Sequence, residues 1–263
     1  MAISLESISN SKRIRAPRIV LLGTSGIGKS EFCSESESPI FVPVKGEEGI
    51  DALDVKSFPV IKSYDEAMEA IGALYSGDHP HQTLVLDSVS ALAPMVDAAA
   101  MQKENVASKA LLGGGYGRQW DTIKALWTDL LSGVDALRDE KGIATVLIGH
   151  VKIKSSREPE TESFDQWVFD VDSQVSELLI RWSDATLFMN SKTTITKKDG
   201  GFGKKEKIAL DITGGTRYLF TGRSPTYPAK TRGCFGDIPA EIALPRHGAW
   251  GVFMGEVSKA ITK

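Results

Sequence analysis

Eight residues near the N-terminus carry the clearest chemistry in the chain: Gly23, Thr24, Ser25, Gly26, Ile27, Gly28, Lys29 and Ser30. They match the pattern G-x-x-x-x-G-K-[ST], and each fixed residue type has a physical reason. Glycines let successive backbone N–H groups converge on phosphate oxygens with no Cβ in the way. A helix that begins where the loop ends points its dipole at the anion. The lysine ammonium reaches the β- and γ-phosphates, and the serine hydroxyl is a ligand for Mg²⁺. Together the eight are expected to hold the phosphates of ATP, with Lys29 also serving catalysis and Ser30 the metal.

Three further groups end strand-like runs. Thr83-Leu-Val-Leu ends on Asp87, whose carboxylate can hold the magnesium with Ser30, directly or through water. Glu47 and Glu48 follow the run 40–44. A carboxylate beside the γ-phosphate orients and deprotonates the attacking water, although the same pair also fits a solvated acidic turn. His150 closes the run 143–148. Ligands of open α/β sheets sit at the carboxyl ends of strands. His150 is therefore placed to sense the γ-phosphate and report it to the loop behind; a plain polar strand cap is the other reading.

These groups need a scaffold, and the hydrophobic pattern supplies one. Residues 18–22 and 83–86 read as buried strands, and 40–44 and 143–148 as two more. A helix follows the glycine loop through Phe32, and Ser63-Tyr-Asp-Glu66 is a capping box that starts another through about Tyr75. Residues 94–106 read as a helix, and 107–117, with three consecutive glycines, as a mobile loop. Trp120, Ile123, Trp127, Leu130, Leu131, Val134 and Leu137 form one apolar stripe on a long helix that Gly142 stops. Strand–helix alternation predicts a mostly parallel central sheet flanked by helices.

The C-terminal part changes character. Residues 151–171 read as a polar loop, 173–182 as a helix, and 185–196 with 207–212 as strands around the hairpin signal Asp199-Gly-Gly. Residues 217–221 continue the β character, so antiparallel strands extend the sheet on this side. The expected organisation is a flexible basic arm over 1–16 and a single α/β domain over 17–263.

A chain of 263 residues with 41% hydrophobic and 25% charged residues belongs to the soluble globular class. Its apolar runs are too short to span a bilayer, and it shows no signal core, so the expectation is no membrane and a cytoplasmic protein. Cys33 and Cys234 have no metal-like spacing and read as free thiols. The net charge of −3 argues against a strongly basic nucleic-acid binder. Residues 190–232, however, hold ten Lys and Arg against three acids. Such a cluster forms either a basic face or a set of solvated turns.

The motifs resemble those of RecA-type ATPases over roughly residues 15–245. Leu84-Val-Leu-Asp87-Ser-Val-Ser-Ala-Leu-Ala-Pro94 looks like the Walker B segment of that family. Glu47-Glu-Gly-Ile-Asp51 resembles the segment holding its catalytic glutamate, with Glu47 at the matching position. Ile148-Gly-His150-Val-Lys152 looks like the strand end that carries its γ-phosphate sensor, where bacterial RecA usually has Gln. Lys230-Thr-Arg232 resembles the K-x-K or K-x-R pair inserted into a neighbour's ATP site, where a cation supplied in trans stabilises charge on the γ-phosphate. An exposed basic turn is the plainer reading of that pair.

The compact core and the segment Ala229-Lys-Thr-Arg-Gly look most like the phage Sak-type single-strand annealing ATPases. The resemblance implies a DNA-stimulated, Mg²⁺-dependent ATPase that binds and anneals single-stranded DNA in phage recombination, in the cytoplasm of a bacterial host. It implies a homo-oligomer, filament or ring, and a single-stranded DNA-binding protein as a further partner. The DNA would meet Lys109 and Arg118 in one loop and Lys152 and Lys154 in the next, with Tyr116, Arg157, Phe164 and Trp167 nearby. Core packing is the other reading of Phe164 and Trp167. A RecA-type hexameric helicase or helicase-loading motor, and a nucleotide-switched scaffold with weak ATPase, are the competing functions.

Overall fold

The computed structural model describes residues 15–47, 49–115, 118–156, 163–199, 205–211 and 215–262, with side chains left aside over 193–211. Six strands run parallel at its centre. They are β1 (Arg18–Gly23), β2 (Pro39–Pro43), β3 (Lys56–Ser57), β4 (Thr83–Asp87), β5 (Ala144–Ser156) and β7 (Ala185–Ser191). Their order across the sheet is β3-β2-β4-β5-β1-β7. Beyond β7 the sheet continues antiparallel through β10 (Arg217–Phe220) and β12 (Glu241–Leu244). The short β11 (Lys230–Thr231) also pairs antiparallel with β7, at its start.

The helices cover both faces. They are α1 (Lys29–Ser34), α2 (Tyr64–Ser76), α3 (Val89–Lys103), α4 (Gln119–Lys141), α5 (Ser173–Trp182) and α6 (Ala249–Ile261). Alternate residues of each strand feed opposite cores. Val20, Leu22, Leu84, Leu86 and Leu147 pack with α2 to α5, whereas Ile19, Leu21, Val85, Val146 and Ile148 pack with α1 and α6. The α4 stripe lies where its spacing predicts: Ile123, Trp127, Leu130, Val134 and Leu137 are fully buried. Each such side chain contributes about 1.5–3 kcal/mol through burial. Gly142 ends α4 in the left-handed conformation, with φ at 71°.

Three regions depart from the sequence-based expectation. The helix expected over 94–106 starts at Val89, because the Ser88 hydroxyl caps it by accepting the Ala91 N–H at 3.2 Å; Pro94 lies inside. The loop expected over 107–117 contains a 3₁₀ turn, Lys109–Gly114, pinned by the fully buried Leu112; Tyr116 and Gly117 lie outside the described residues. The polar loop expected over 151–171 is a hairpin. β5 runs on to Ser156, and β6 (Phe164–Phe169) returns antiparallel along it, with Lys152 opposite Val168 and Ile153 opposite Trp167. Val151 and Ile153 alternating with Lys152 and Lys154 is the period of a strand, which the polarity of the segment obscures.

The Asp199-Gly-Gly signal does mark a hairpin, between β8 (Thr193–Asp199) and β9 (Lys205–Asp211), and its turn lies outside the described residues. Of the expected N-terminal arm, residues 1–14 lie outside them too. Arg15 and Ala16 are tied to α4: Arg15 pairs with Asp139 at 3.2 Å, and Arg138 donates to the Ala16 carbonyl at 2.7 Å. No helix among the described residues is long and apolar enough to cross a membrane.

Candidate functional site

Strand register gathers the chemistry at one edge of the sheet. Gly23 at the end of β1 lies beside His150, and Asp87 at the end of β4 lies between Pro43 and Ile148. The loop over 24–28 then carries the chain to α1. Gly26 and Gly28 hold φ at 74° and 92°, the left-handed region that glycine tolerates. A Cβ on Gly28 would also collide with the guanidinium of Arg217.

Five predicted groups meet there. The Ser30 hydroxyl donates to Asp87 Oδ2 at 2.5 Å. Lys29 is buried and donates to the carbonyls of Gly23 at 3.0 Å and Thr24 at 2.9 Å. His150 bridges the site, with Nδ1 3.4 Å from Lys29 Nζ and Nε2 2.9 Å from Glu47 Oε1. An ammonium has no lone pair, so Nδ1 is the accepting nitrogen and the ring proton sits on Nε2, donated to Glu47. The Ser88 hydroxyl donates to the same Glu47 oxygen at 2.6 Å. Glu48 lies outside the described residues.

The electrostatics follow from this packing. Burial pushes the Asp87 carboxyl above its ordinary value, and the Ser30 hydrogen bond offsets only part of that. Burial likewise pulls the Lys29 ammonium below its ordinary value, against the attraction of Asp87 and Glu47. Burial also works to raise Glu47, but the hydrogen bonds from His150 and Ser88 outweigh it, so this carboxyl stays ionised to lower pH than usual.

The residues fit a magnesium ion. Ser30 and Asp87 supply hard oxygen donors, the type Mg²⁺ prefers, and only two of them, which suits an ion that keeps waters and phosphate oxygens as its other ligands. A Cβ on Gly49 would sit 3.0 Å from Ser30 Oγ and 4.0 Å from Asp87 Oδ2, so a side chain there would press on the Ser30 hydroxyl. Among the described residues, no group of three or more His, Cys, Asp or Glu forms a cage for another metal.

On the other flank of the loop, a cavity of about 880 Å³ opens between Gly26–Gly28 and residues 243–246. Arg217 forms its wall, donating to Glu31 Oε2 at 2.7 Å and to the carbonyls of Pro245 at 3.3 Å and Arg246 at 3.1 Å. This volume suits a base and ribose. Sequence reasoning missed Ser88, Gly49, Arg217 and this cavity. The first two lie inside the matched motifs, whereas Arg217 carries no local signal and stood among the basic residues of 190–232.

That basic cluster does not form one face where its side chains are described. Arg217 points inward, Lys192 pairs with Glu241 at 2.6 Å, and Lys230 and Arg232 lie at the opposite edge of the sheet. There Lys230 donates to the Ser183 carbonyl at 3.1 Å and Arg232 to that of Trp182 at 2.8 Å, far from their own phosphate loop. Of the residues expected to meet DNA, Lys109 pairs with Asp97 at 2.7 Å and Lys152 with Asp170 at 2.9 Å, while Arg118 and Lys154 are exposed. Trp167 packs on the buried Phe188, as its core reading expects.

A family model described as an AAA domain (AAA_24) matches residues 15–233, and the chain belongs to this family. The strand order, with β5 between the phosphate-loop strand β1 and the Asp87 strand β4 and antiparallel strands beyond β7, is that of an α/β domain with a mostly parallel central sheet. No curated protein matches the chain. Among solved structures it is similar to one titled as the crystal structure of the RadB recombinase, at 14% identity and a TM-score of 0.43, covering 82% of this chain and 85% of that one.

Proposed function

We propose that this protein is an ATP-dependent single-stranded DNA-binding recombinase or annealing protein of a phage, working as an oligomer with ATP sites between subunits. The observation that carries the ATPase part is the continuous contact from Lys29 through His150 to Glu47 beside the Ser30–Asp87 pair. The loop N–H groups and Lys29 bind the β- and γ-phosphates, and the cavity beside Arg217 takes the base. Magnesium, when bound, neutralises charge on the phosphate oxygens. Glu47 accepts a proton from water as the water oxygen bonds to the γ-phosphorus; the bond to the bridging oxygen breaks, and ADP and phosphate leave. His150 registers the γ-phosphate through Lys29 and passes it along β5 to the hairpin carrying Lys152 and Lys154.

Lys230 and Arg232 sit too far from their own loop to touch its nucleotide, which supports a role toward a neighbouring subunit's site. Lys109, Arg118, Lys152 and Lys154 supply cations for a DNA backbone. The acid partners of Lys109 and Lys152 form partly exposed pairs, which phosphate replaces at little cost. The host cytoplasm and a single-stranded DNA-binding protein complete the setting.

The test is ATP hydrolysis by the unmodified protein, Lys29→Ala, Glu47→Gln and Arg232→Ala, each with and without single-stranded DNA. All three variants are expected to lose turnover, with Glu47→Gln still binding ATP. Arg232→Ala is expected to regain part of its activity when mixed with Lys29→Ala subunits, whose Arg232 is intact. Monomers alone in gel filtration and electron microscopy, with DNA and an ATP analogue, would overturn the shared site. Turnover and binding indifferent to DNA and salt would favour a nucleotide-switched scaffold, and processive unwinding a helicase-type motor.

A further inference from the structure

The hydroxyl of Ser88 does two things at once. It is wholly buried, accepts the Ala91 N–H at 3.2 Å as the cap of α3, and lies 2.6 Å from Glu47 Oε1. A serine hydroxyl has a single proton. The Ala91 N–H takes a lone pair, so the proton is directed at the carboxylate. His150 Nε2 donates to the same oxygen from the other side at 2.9 Å. Both donors thus land on Oε1, which turns Oε2 toward an incoming proton.

We infer that Ser88 is a positioning residue that fixes Glu47 so that Oε2 serves as the base. This rests on the role of Glu47 proposed above. The geometry asks more of Ser88 than capping needs, since a cap requires only an acceptor, and glycine serves the N-cap position nearly as well. The proton on Ser88 is what the carboxylate uses. Its neighbour in the same helical turn, Ser90, accepts the backbone N–H of His150 at 3.0 Å. The first turn of α3 therefore holds both ends of the Glu47–His150 pair.

Ser88→Gly separates the two roles, because it removes the proton while leaving a residue that tolerates the cap. It is expected to lower kcat for ATP about 10–100-fold, a share of the 10²–10⁴-fold typical of a general base, with KM within about twofold. On a Glu47→Gln background the same change is expected to cost less than about twofold further, because the group it positions is gone. Ser88→Thr, which keeps the hydroxyl, is expected to restore most of the lost turnover. Ser63→Ala, which removes the equivalent cap on α2, where the hydroxyl accepts from Glu66 N–H at 3.2 Å, is expected to leave kcat unchanged. Normal turnover in Ser88→Gly while Glu47→Gln is inactive would overturn the inference alone. An equal fall on both backgrounds would also overturn it, since Ser88 would then act through something other than Glu47. Normal turnover in Glu47→Gln would instead overturn the reading of Glu47 itself. Should Ser88→Gly fail to fold, the cycle is read from Ser88→Thr, where loss of kcat despite the retained hydroxyl and normal ATP binding counts against the inference.

Discussion

Asp184 and Asp87 stand at opposite edges of the central sheet, and their surroundings treat the two carboxylates in opposite ways. At the amino edge, Asp184 accepts from the backbone and side chain of Arg18 and pairs with Arg138, while Asp135 takes a second hydrogen bond from Arg18. Burial acts to raise the Asp184 carboxyl, but the arginines outweigh it and hold it below its ordinary value. At the carboxyl edge, Asp87 is left raised and Lys29 lowered, because burial there exceeds the compensation on hand. One edge is a closed set of ion pairs that stabilises the fold. The other keeps charges in partly uncompensated form, ready for a polyanion and a cation. Carboxyl and ammonium groups shifted by burial at a strand-end cleft fit a working site.

Substitutions at each edge test this contrast. The largest effect is expected from Glu47→Gln: a fall of about 10²–10³ in kcat, on the order of 3–4 kcal/mol, with thermal stability unchanged. Next comes Asp184→Asn, expected to cost about 3 kcal/mol of stability by removing the carboxylate that the part-buried Arg18 and Arg138 share, with activity per folded molecule retained. A carboxyl depressed in the folded state contributes stability above its unfolded value of about 3.9, and this is lost as pH falls through the folded value. Acid titration of unfolding should therefore show a shallower loss in Asp184→Asn than in the unmodified protein.

Arg217→Ala is expected to weaken ATP affinity about tenfold in equilibrium binding, on the order of 1.4 kcal/mol, by loosening the cavity wall without touching Glu47. The smallest effect is also the most diagnostic. Asp87 is raised, so the stability tied to its protonated form is present at low pH and lost as pH rises through the folded value. At neutral pH its charge is a cost. Asp87→Asn should melt a few degrees higher than the unmodified protein while losing magnesium-dependent turnover. If it melts lower, the carboxyl edge is compensated after all and the contrast fails.

The parts of the molecule differ in how far local sequence determines them. The convergence of the phosphate loop, Asp87, Glu47 and His150 was legible because each stands close to the end of a buried apolar run, and parallel pairing brings those ends together. The α4 stripe was legible because its period is a property of the helix alone. Arg217 was not, since its work depends on carbonyls at 245 and 246 and a carboxylate at 31, which only the folded chain brings near it. The β5–β6 hairpin was hidden because an exposed strand carries lysines that read as loop. Ser88 was hidden differently: its place just after β4 is evident, but its second partner, Glu47, lies in the loop that follows β2.

The position of β1 has a consequence for synthesis. Its lateral partners are β5 and β7, both far downstream, while Arg217 and the segment it holds come later still. A ribosome therefore releases the phosphate loop long before any strand can flank it, and β4 and β2 must wait for β5 to join them to β1. Contacts this distant along the chain make folding slow and keep strand edges open meanwhile. The most conspicuous motif in the protein is made before either strand that flanks it, and is among the last parts to acquire its shape.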